Sequence, residues 1–472
     1  MLKDWLFFKK EKENNNEEKK DILKDKKITI KDIQSIFEGD YDFKVKEIKY
    51  KDVSLYFLYL ETLVDTQIID EYILKPIIDM IDNNKDLDNK DIFKNIEDGL
   101  IPHKSSEIRN NVADLISDIL SGSIAIICSN SNNKGITFDV RKIEKRSISE
   151  PTNENIIKGA KEAFVEDIKS NVCLIRNRIK SSNLKVNKID VGDNIKTSIA
   201  VVYLDNVVDK QILDKVTQKI KNIKTDKLVS GGDFEEQIID NKYSIFPQLI
   251  YTEKTDKVIS NITEGKIIIV IDGLPTIYIL PAVINMFFQA PEDYSVNYAV
   301  SSVLRVLRYL STFMTLILPS FYICISVFHQ EMIPTELALS IINSKEGEPF
   351  PTLVEVSFML LAFEILIEAS SRLPKTIGQT ISIVGGLIIG EAAVNAKFVS
   401  PSVVVIIAIT GITGFIMPNQ DFSNALRICR FLLVILTSIA GLYRIINGST
   451  YDYILSMYNW IFWVTIFYAI FF

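Results

Sequence analysis

Histidine and cysteine are scarce in this 472-residue chain: two histidines, His103 and His329, and four cysteines, Cys128, Cys173, Cys324 and Cys429, with no Cys-x-x-Cys spacing. That scarcity excludes a zinc site, a His-based metal centre and a disulfide framework. The four thiols are expected reduced, in packed or membrane regions. No P-loop, Gly-x-Ser-x-Gly or His-centred constellation is present, and Gly231-Gly232 lacks a following Lys-Ser/Thr and reads as a loop. No cofactor and no enzyme activity are expected. Net positive charge is lacking too: 53 Lys+Arg stand against 60 Asp+Glu, and neither half is net basic, which excludes a strong nucleic-acid binder. At the start, Trp5 to Phe8 is only four apolar residues, whereas a signal-peptide core needs about 7–15. The front of the chain is therefore expected to stay in the cytosol.

The second half lacks charge. Residues 1–250 carry 85 charged side chains and residues 251–472 carry 28. Such asymmetry predicts two solvents, water for the front and a bilayer for the back. The expected class is an α/β two-lobed soluble N-terminal domain followed by an all-α polytopic membrane domain. Its parts are a disordered charged lead-in at 1–27, soluble subdomains at 28–145 and 146–295, and a membrane domain at 296–472 with about five to six hydrophobic helices.

Two stretches of the front echo each other. Leu58 to Asp70 aligns with Val202 to Asp214, with Tyr, Leu, an acid, Val, Asp, Gln and Asp at the same seven positions. Each copy reads as strand, turn, helix, with Asp65 and Asp209 placed to cap the helices. Two related lobes follow, a shape that can hinge or bind in a cleft. Ser123 to Cys128 and Ile136 to Val140, joined by a polar turn, predict one hairpin. Ile267 to Ile271, Asp272-Gly273 and Leu274 to Leu280 predict a second, on soluble protein near a bilayer surface. Arg176, Arg178 and Lys180 form either a solvated helix face or a lobe or subunit contact to Glu150, Glu154 or Glu166.

In the back half, Leu310–Phe328, Thr376–Gly390, Phe398–Gln420, Phe431–Tyr443 and Tyr453–Phe472 are free of charge. Pro319 should kink the first. Gly386 and Gly390 form a small-xxx-small surface for helix packing. Leu353 to Ser371 is apolar but carries Glu355, Glu364 and Glu368, the last two on one face and Glu355 opposite. It reads either as an interfacial or re-entrant helix or as one lining an ion pathway. The Lys/Arg bias favours a cytosolic front, with Arg305/Arg308, Arg372/Lys375 and Arg427/Arg430 inside. Glu331, Glu336, Glu346 and Glu348 then form an acidic outer mouth that attracts cations.

Several motifs resemble the A subunit of GerA-type spore germination receptors. They are Glu150-Pro151-Thr152-Asn153-Glu154, Phe246-Pro247-Gln248, Gln289-Ala290-Pro291-Glu292-Asp293-Tyr294, Phe328-His329-Gln330-Glu331-Met332-Ile333-Pro334, Glu346-Gly347-Glu348-Pro349-Phe350-Pro351 and Arg372-Leu373-Pro374. The resemblance runs from about residue 50 to 443. It implies a multi-pass protein of the spore inner membrane, its N-terminal domain on the core side. It also implies assembly with a transporter-like B subunit, a lipoprotein C subunit and further copies of itself, as a pentamer, to release monovalent cations when nutrient binds. After Tyr443 the chain departs from the family pattern, as a truncated or divergent end would. Alternatives are a paralogue linked to dipicolinate release and a non-conducting scaffold for the B and C subunits.

Overall fold

A computed structural model describes residues 28–50, 53–83, 96, 101, 106–128, 134–142, 162–223, 230–241, 244–294, 296–374, 385–386 and 388–446. The described residues fall into two compact units. One runs up to Lys242 and includes Gln248–Ala282; the other comprises Tyr243–Pro247 and Val283 onward.

The first unit contains two five-stranded antiparallel sheets. Strands β1 (Phe43–Tyr50), β2 (Val53–Leu60), β3 (Ser106–Arg109), β4 (Ser123–Cys128) and β5 (Gly135–Asp139) are ordered β1-β2-β4-β5-β3. Strands β6 (Leu184–Val191), β7 (Thr197–Leu204), β8 (Ile250–Thr252), β9 (Ile267–Ile271) and β10 (Ile277–Leu280) are ordered β6-β7-β9-β10-β8. Position by position these are the same topology. The sequence echo is its visible part, since β2 and β7 each run into a capped helix. Asp65 accepts from the amides of Gln67 (3.0 Å) and Ile68 (3.4 Å), and Asp209 from those of Gln211 (2.9 Å) and Ile212 (3.4 Å). These bonds satisfy amides that the first helical turn leaves unpaired.

Both predicted hairpins form, as β4–β5 and β9–β10. Their apolarity has a packing cause. Successive side chains of a strand face opposite ways, and here helices cover both faces. In the first sheet Leu55, Phe57, Ile124 and Ile126 belong to one core, while Leu58, Leu60, Ala125 and Ile127 belong to another with helices α1 (Ile30–Ile36) and α2 (Val112–Leu120). In the second, Ile267, Ile269 and Ile271 pack with Leu213, Val216 and Ile220 of helix α4 (Lys210–Lys221), and all five residues of β9 are buried. Full burial of each isoleucine contributes about 1.5–3 kcal/mol. The 267–280 segment is therefore apolar because it is a central hairpin.

The duplication extends to glycine. Gly122 and Gly265 each lead from a helix, α2 or α5 (Thr255–Thr263), into a central strand with φ near +90°. A Cβ at Gly122 would lie 3.2 Å from the Leu63 carbonyl, and one at Gly265 would lie 3.0 Å from the Val207 carbonyl. Leu63 and Val207 are equivalent in the echo.

The second unit is helical. It contains α6 (Tyr298–Ile323, continued as a π-helix to Phe328), α7 (Thr335–Ser344), α8 (Thr352–Ser371), α9 (Pro401–Phe415) and α10 (Gln420–Ile446). Tyr298–Phe328 and Gln420–Ile439 are long and apolar enough to cross a bilayer, and Pro401–Phe415 is a shorter apolar helix. Of the remaining expected segments, α8 carries its three glutamates, 376–390 is described only at 385–386 and 388–390, and 453–472 lies outside the described residues. This unit begins at Val283, ahead of the expected 296. Phe287 stacks on Phe422 of α10, Phe288 meets it edge-on and Phe246 lies tilted against it, and Asp293 binds α6, which draws those segments into this unit.

Candidate functional site

The first unit has a buried ionic joint between its lobes. Asp40 and Asp42 lie in the loop between α1 and β1, and Arg176 projects from helix α3 (Ile168–Arg178) of the second lobe. Arg176 donates from Nε to Asp42 Oδ2 (2.8 Å) and from Nη2 to Asp42 Oδ1 (2.7 Å) and Asp40 Oδ1 (3.1 Å). Thr62 donates to Asp42 at 2.6 Å, and Lys185 lies 3.3 Å from Asp40. The main chain joins in, with Tyr41 N donating to Val186 O and Val186 N donating to Asp40 Oδ1. Burial works against the Arg176 charge, but Asp42 and Asp40 outweigh it and hold the guanidinium protonated. Thus Arg176 contacts the other lobe through Asp40 and Asp42. Arg178 is exposed and pairs with Glu162 at 2.8 Å. Glu150 and Glu154 lie outside the described residues.

The second unit buries hydroxyl and arginine side chains beside its apolar core and exposes apolar ones. Ser301, Arg308, Ser311, Thr312, Thr315 and Ser320 of α6 are buried, while Val303, Leu307, Leu310 and Phe313 of the same helix are exposed. Exposed apolar residues form stripes on α8 (Val354, Phe358, Leu361, Ile365) and α10 (Ile428, Leu432, Ile435, Ile439). Their spacing of three or four residues marks one helix face each. Between helices, polar contacts accompany an apolar core of Ile323, Val356, Leu360, Val403, Ile407 and Val434: Thr315 donates to Thr413 at 2.8 Å, and the Tyr322 and Ser402 hydroxyls are 2.9 Å apart. Small and hydroxyl side chains are the glue of helices packed in lipid.

The three glutamates of α8 have different surroundings. Glu355 is 1% exposed and accepts from Ser400, N at 3.2 Å and Oγ at 2.9 Å. Glu364 is hydrogen-bonded by the buried Arg430, with Arg427 Nη1 at 3.7 Å. Glu368 is exposed and pairs with Arg372 one turn later at 2.5 Å. Glu355 and Glu364 are turned into the unit toward different helices, and the three acids do not meet. Of the four acids expected at an outer mouth, Glu331, Glu336 and Glu346 are exposed. Glu348 instead sits half-buried, with its Oε2 out of contact with solvent. The glycine surface is offset from expectation. Gly386 has open space around it and Gly390 lies near Val404, while a Cβ at Gly385 would come within 2.8 Å of Leu366.

Sequence reasoning missed one centre here. Arg308 was a topology marker, yet it is buried and grips Asp293 with both terminal nitrogens (2.6 and 2.8 Å), while also donating to Phe288 O at 2.9 Å. Burial opposes the charge on Asp293, but the Arg308 bonds prevail and hold its carboxyl below the ordinary carboxylate value. The available signal was an acid in the Gln289–Tyr294 motif followed by two arginines on an uncharged helix.

These features define a class: a duplicated two-lobed α/β module attached to a helical unit with exposed apolar stripes and buried hydroxyl and arginine side chains. The chain belongs to the GerA family, described as Bacillus/Clostridium GerA spore germination protein, whose pattern matches residues 31–459. It is 33% identical to the Uncharacterized membrane protein YfkQ of Bacillus subtilis (strain 168), over 93% of this chain and 84% of that one. It is 34% identical to Spore germination protein A1 of the same organism, over 87% and 83% of the two chains, and 34% identical to Spore germination protein KA, over 86% and 74%. A crystal structure of the N-terminal domain of the A subunit of the Bacillus megaterium spore germinant receptor GerK3 aligns with TM-score 0.43 and 26% identity, covering 54% of this chain and 93% of that domain.

Proposed function

We propose that this protein is the A subunit of a nutrient germinant receptor in the spore inner membrane. In this reading it assembles as a homo-oligomer, a pentamer, with a transporter-like B subunit and a lipoprotein C subunit. Nutrient binding opens a path for monovalent cations through the helical unit. The observation that carries the membrane part is the outward apolar stripes on α6, α8 and α10 around buried serines and threonines. In water, exposed apolar faces on three helices would be a liability; against lipid they need no cover. Family membership carries the germination role. The two-lobed module faces the spore core and couples partners to a closed–open equilibrium. The test is cation flux from the purified chain, alone and with its B and C partners, in liposomes. Nutrient-dependent flux supports a channel, and no flux with correctly assembled partners rejects it.

A second reading, a non-conducting scaffold for B and C, is favoured by one observation: Glu355 and Glu364 already have partners inside the unit. Early K⁺ release from spores separates the two. In the channel reading, Glu368→Gln, which leaves both buried acids intact, lowers release at normal protein level. In the scaffold reading it does not.

A further inference from the structure

Helices α8 and α10 meet through one glutamate and two arginines. Arg430 Nη2 donates to Glu364 Oε1, while Arg427 Nη1 stands 3.7 Å from Glu364 Oε2, too far for a hydrogen bond. Arg430 Nε is buried without a partner. Among the described residues, Glu364 is the sole ionic partner of Arg427, and the Arg427 guanidinium makes no hydrogen bond. The cluster thus carries one positive charge more than it answers, and charge withdrawn from water is costly unless an opposite charge joins it. Arg430 is sealed, but side-chain exposures of 16% for Arg427 and 23% for Glu364 leave the cluster open to an outside group.

The surroundings of that opening are apolar. Ile365 follows Glu364 and Ile428 follows Arg427, each about 100° further round its helix. Both isoleucines belong to the exposed stripes of α8 and α10. Arg427 is seven residues beyond Gln420, the first residue of α10, or about 10 Å along the axis. Helical side chains lean toward the N-terminus, so the guanidinium reaches back toward the start of the helix. Where Gln420–Ile439 spans a bilayer, that start lies at headgroup level.

We propose that Arg427, backed by Arg430 and Glu364, binds the phosphodiester of an anionic glycerophospholipid whose acyl chains lie along the α8 and α10 stripes. The proposal rests on the helical unit's being embedded in a bilayer. One phosphodiester supplies the missing negative charge, and its oxygens accept two parallel bonds from the guanidinium fork. A zwitterionic headgroup brings its own cation and leaves the excess in place. Free phosphate would cover none of the apolar surface. Basic pockets between membrane helices hold anionic headgroups in this way. A carboxylate from a second copy is disfavoured, because the exposed acid one turn along α8, Glu368, is already paired with Arg372.

The experiment uses the full chain in nanodiscs that mix phosphatidylglycerol with phosphatidylcholine. Native mass spectrometry reads the lipids that stay bound. The native chain should retain phosphatidylglycerol about fivefold over phosphatidylcholine, as one arginine contact near a membrane surface gives. Arg427→Gln should bring that preference near one, and Arg427→Lys should restore part of it. An inserted native chain with no preference overturns the site while leaving the membrane reading intact; a chain that does not insert overturns both. A preference kept by Arg427→Gln overturns it. So does loss of the preference to added inorganic phosphate, which would mark a free-anion site. Loss on self-association in phosphatidylcholine alone also overturns it, since an acid of a second copy would then answer Arg427. A phosphatidylglycerol carrying a photoactivatable acyl chain is the second readout, and it needs no variant. It should label the peptides of α8 and α10 that hold the stripes, and labelling confined to other helices overturns the proposal even where Arg427→Gln fails to fold.

Discussion

At the scale of the residue, the most consequential groups are buried charges. Arg176 is 2% exposed and answers two aspartates from the other lobe. Removing one partner of a buried ion pair leaves an uncompensated charge, which costs about 3–5 kcal/mol. Arg176→Ala should therefore lower stability by about that much in a thermal or denaturant melt of the first unit's transition. Arg176→Lys should recover only part, because an ammonium cannot grip Asp42 with two parallel bonds. Glu364 and Arg430 obey the same logic in the second unit. Glu364→Gln and Arg430→Gln should each destabilise more than the double substitution does relative to either single, a coupling of about 1 kcal/mol or more in a double-mutant cycle. Additive effects would show that the pair contributes nothing. None of these partnerships was legible in the sequence. Arg176 was visible as basic, but its partners lie 134 and 136 residues away in the chain. Arg308 and Arg430 were counted as topology charges when both are sequestered within their unit.

At the scale of the element, local patterns read well because their causes are local. Asp65 and Asp209 cap helices as their spacing predicts, since a cap needs only a short side chain and two amides a few residues on. Asp209→Ala should cost about 1 kcal/mol, and Gly265→Ala should cost at least as much through its positive φ and the nearby Val207 carbonyl. The cap of α3 adds a pH dependence. Burial opposes the Asp167 charge, but hydrogen bonds from the Ser170 hydroxyl and amide outweigh it and hold the carboxyl below its ordinary value of 3.8. A depressed carboxylate contributes stability that is complete above the ordinary value and is lost as pH falls through the depressed one. Amide protection of α3 should thus fall in that acidic window, and Asp167→Asn should flatten the dependence there. The Asp272-Gly273 turn and the flanking prolines set the 267–280 hairpin on soluble protein, and it forms within the first unit; what the sequence could not show is why it is so apolar, which is that helices cover both faces of its sheet.

At the scale of the whole molecule, the two units pose opposite folding problems. In the first, apolar side chains turn inward on duplicated sheets. In the second, apolar side chains fill a core and also line outward stripes, while serine, threonine and arginine are buried beside that core. Ile435→Arg, on the exposed stripe of α10, should reduce bilayer insertion of that helix by about 2.5–3.5 kcal/mol if the stripe faces lipid near its centre, as read by an insertion assay. In the first unit, Ile108→Arg, also at an exposed position, should be nearly neutral in a melt. Comparable costs at both sites would argue against lipid around α10. The division into a charge-rich front and a charge-poor back, the duplication, both hairpins and the family were determined by the sequence itself, because composition, period and short motifs are properties of neighbouring residues. The tertiary structure alone decided that both sheets are antiparallel with one shared strand order, that Arg176 joins the lobes, and that Arg308 grips Asp293. Those facts depend on which distant residues meet, and a buried charge has no signature along the chain; its chemistry exists only once folding has excluded water and brought its partner within reach.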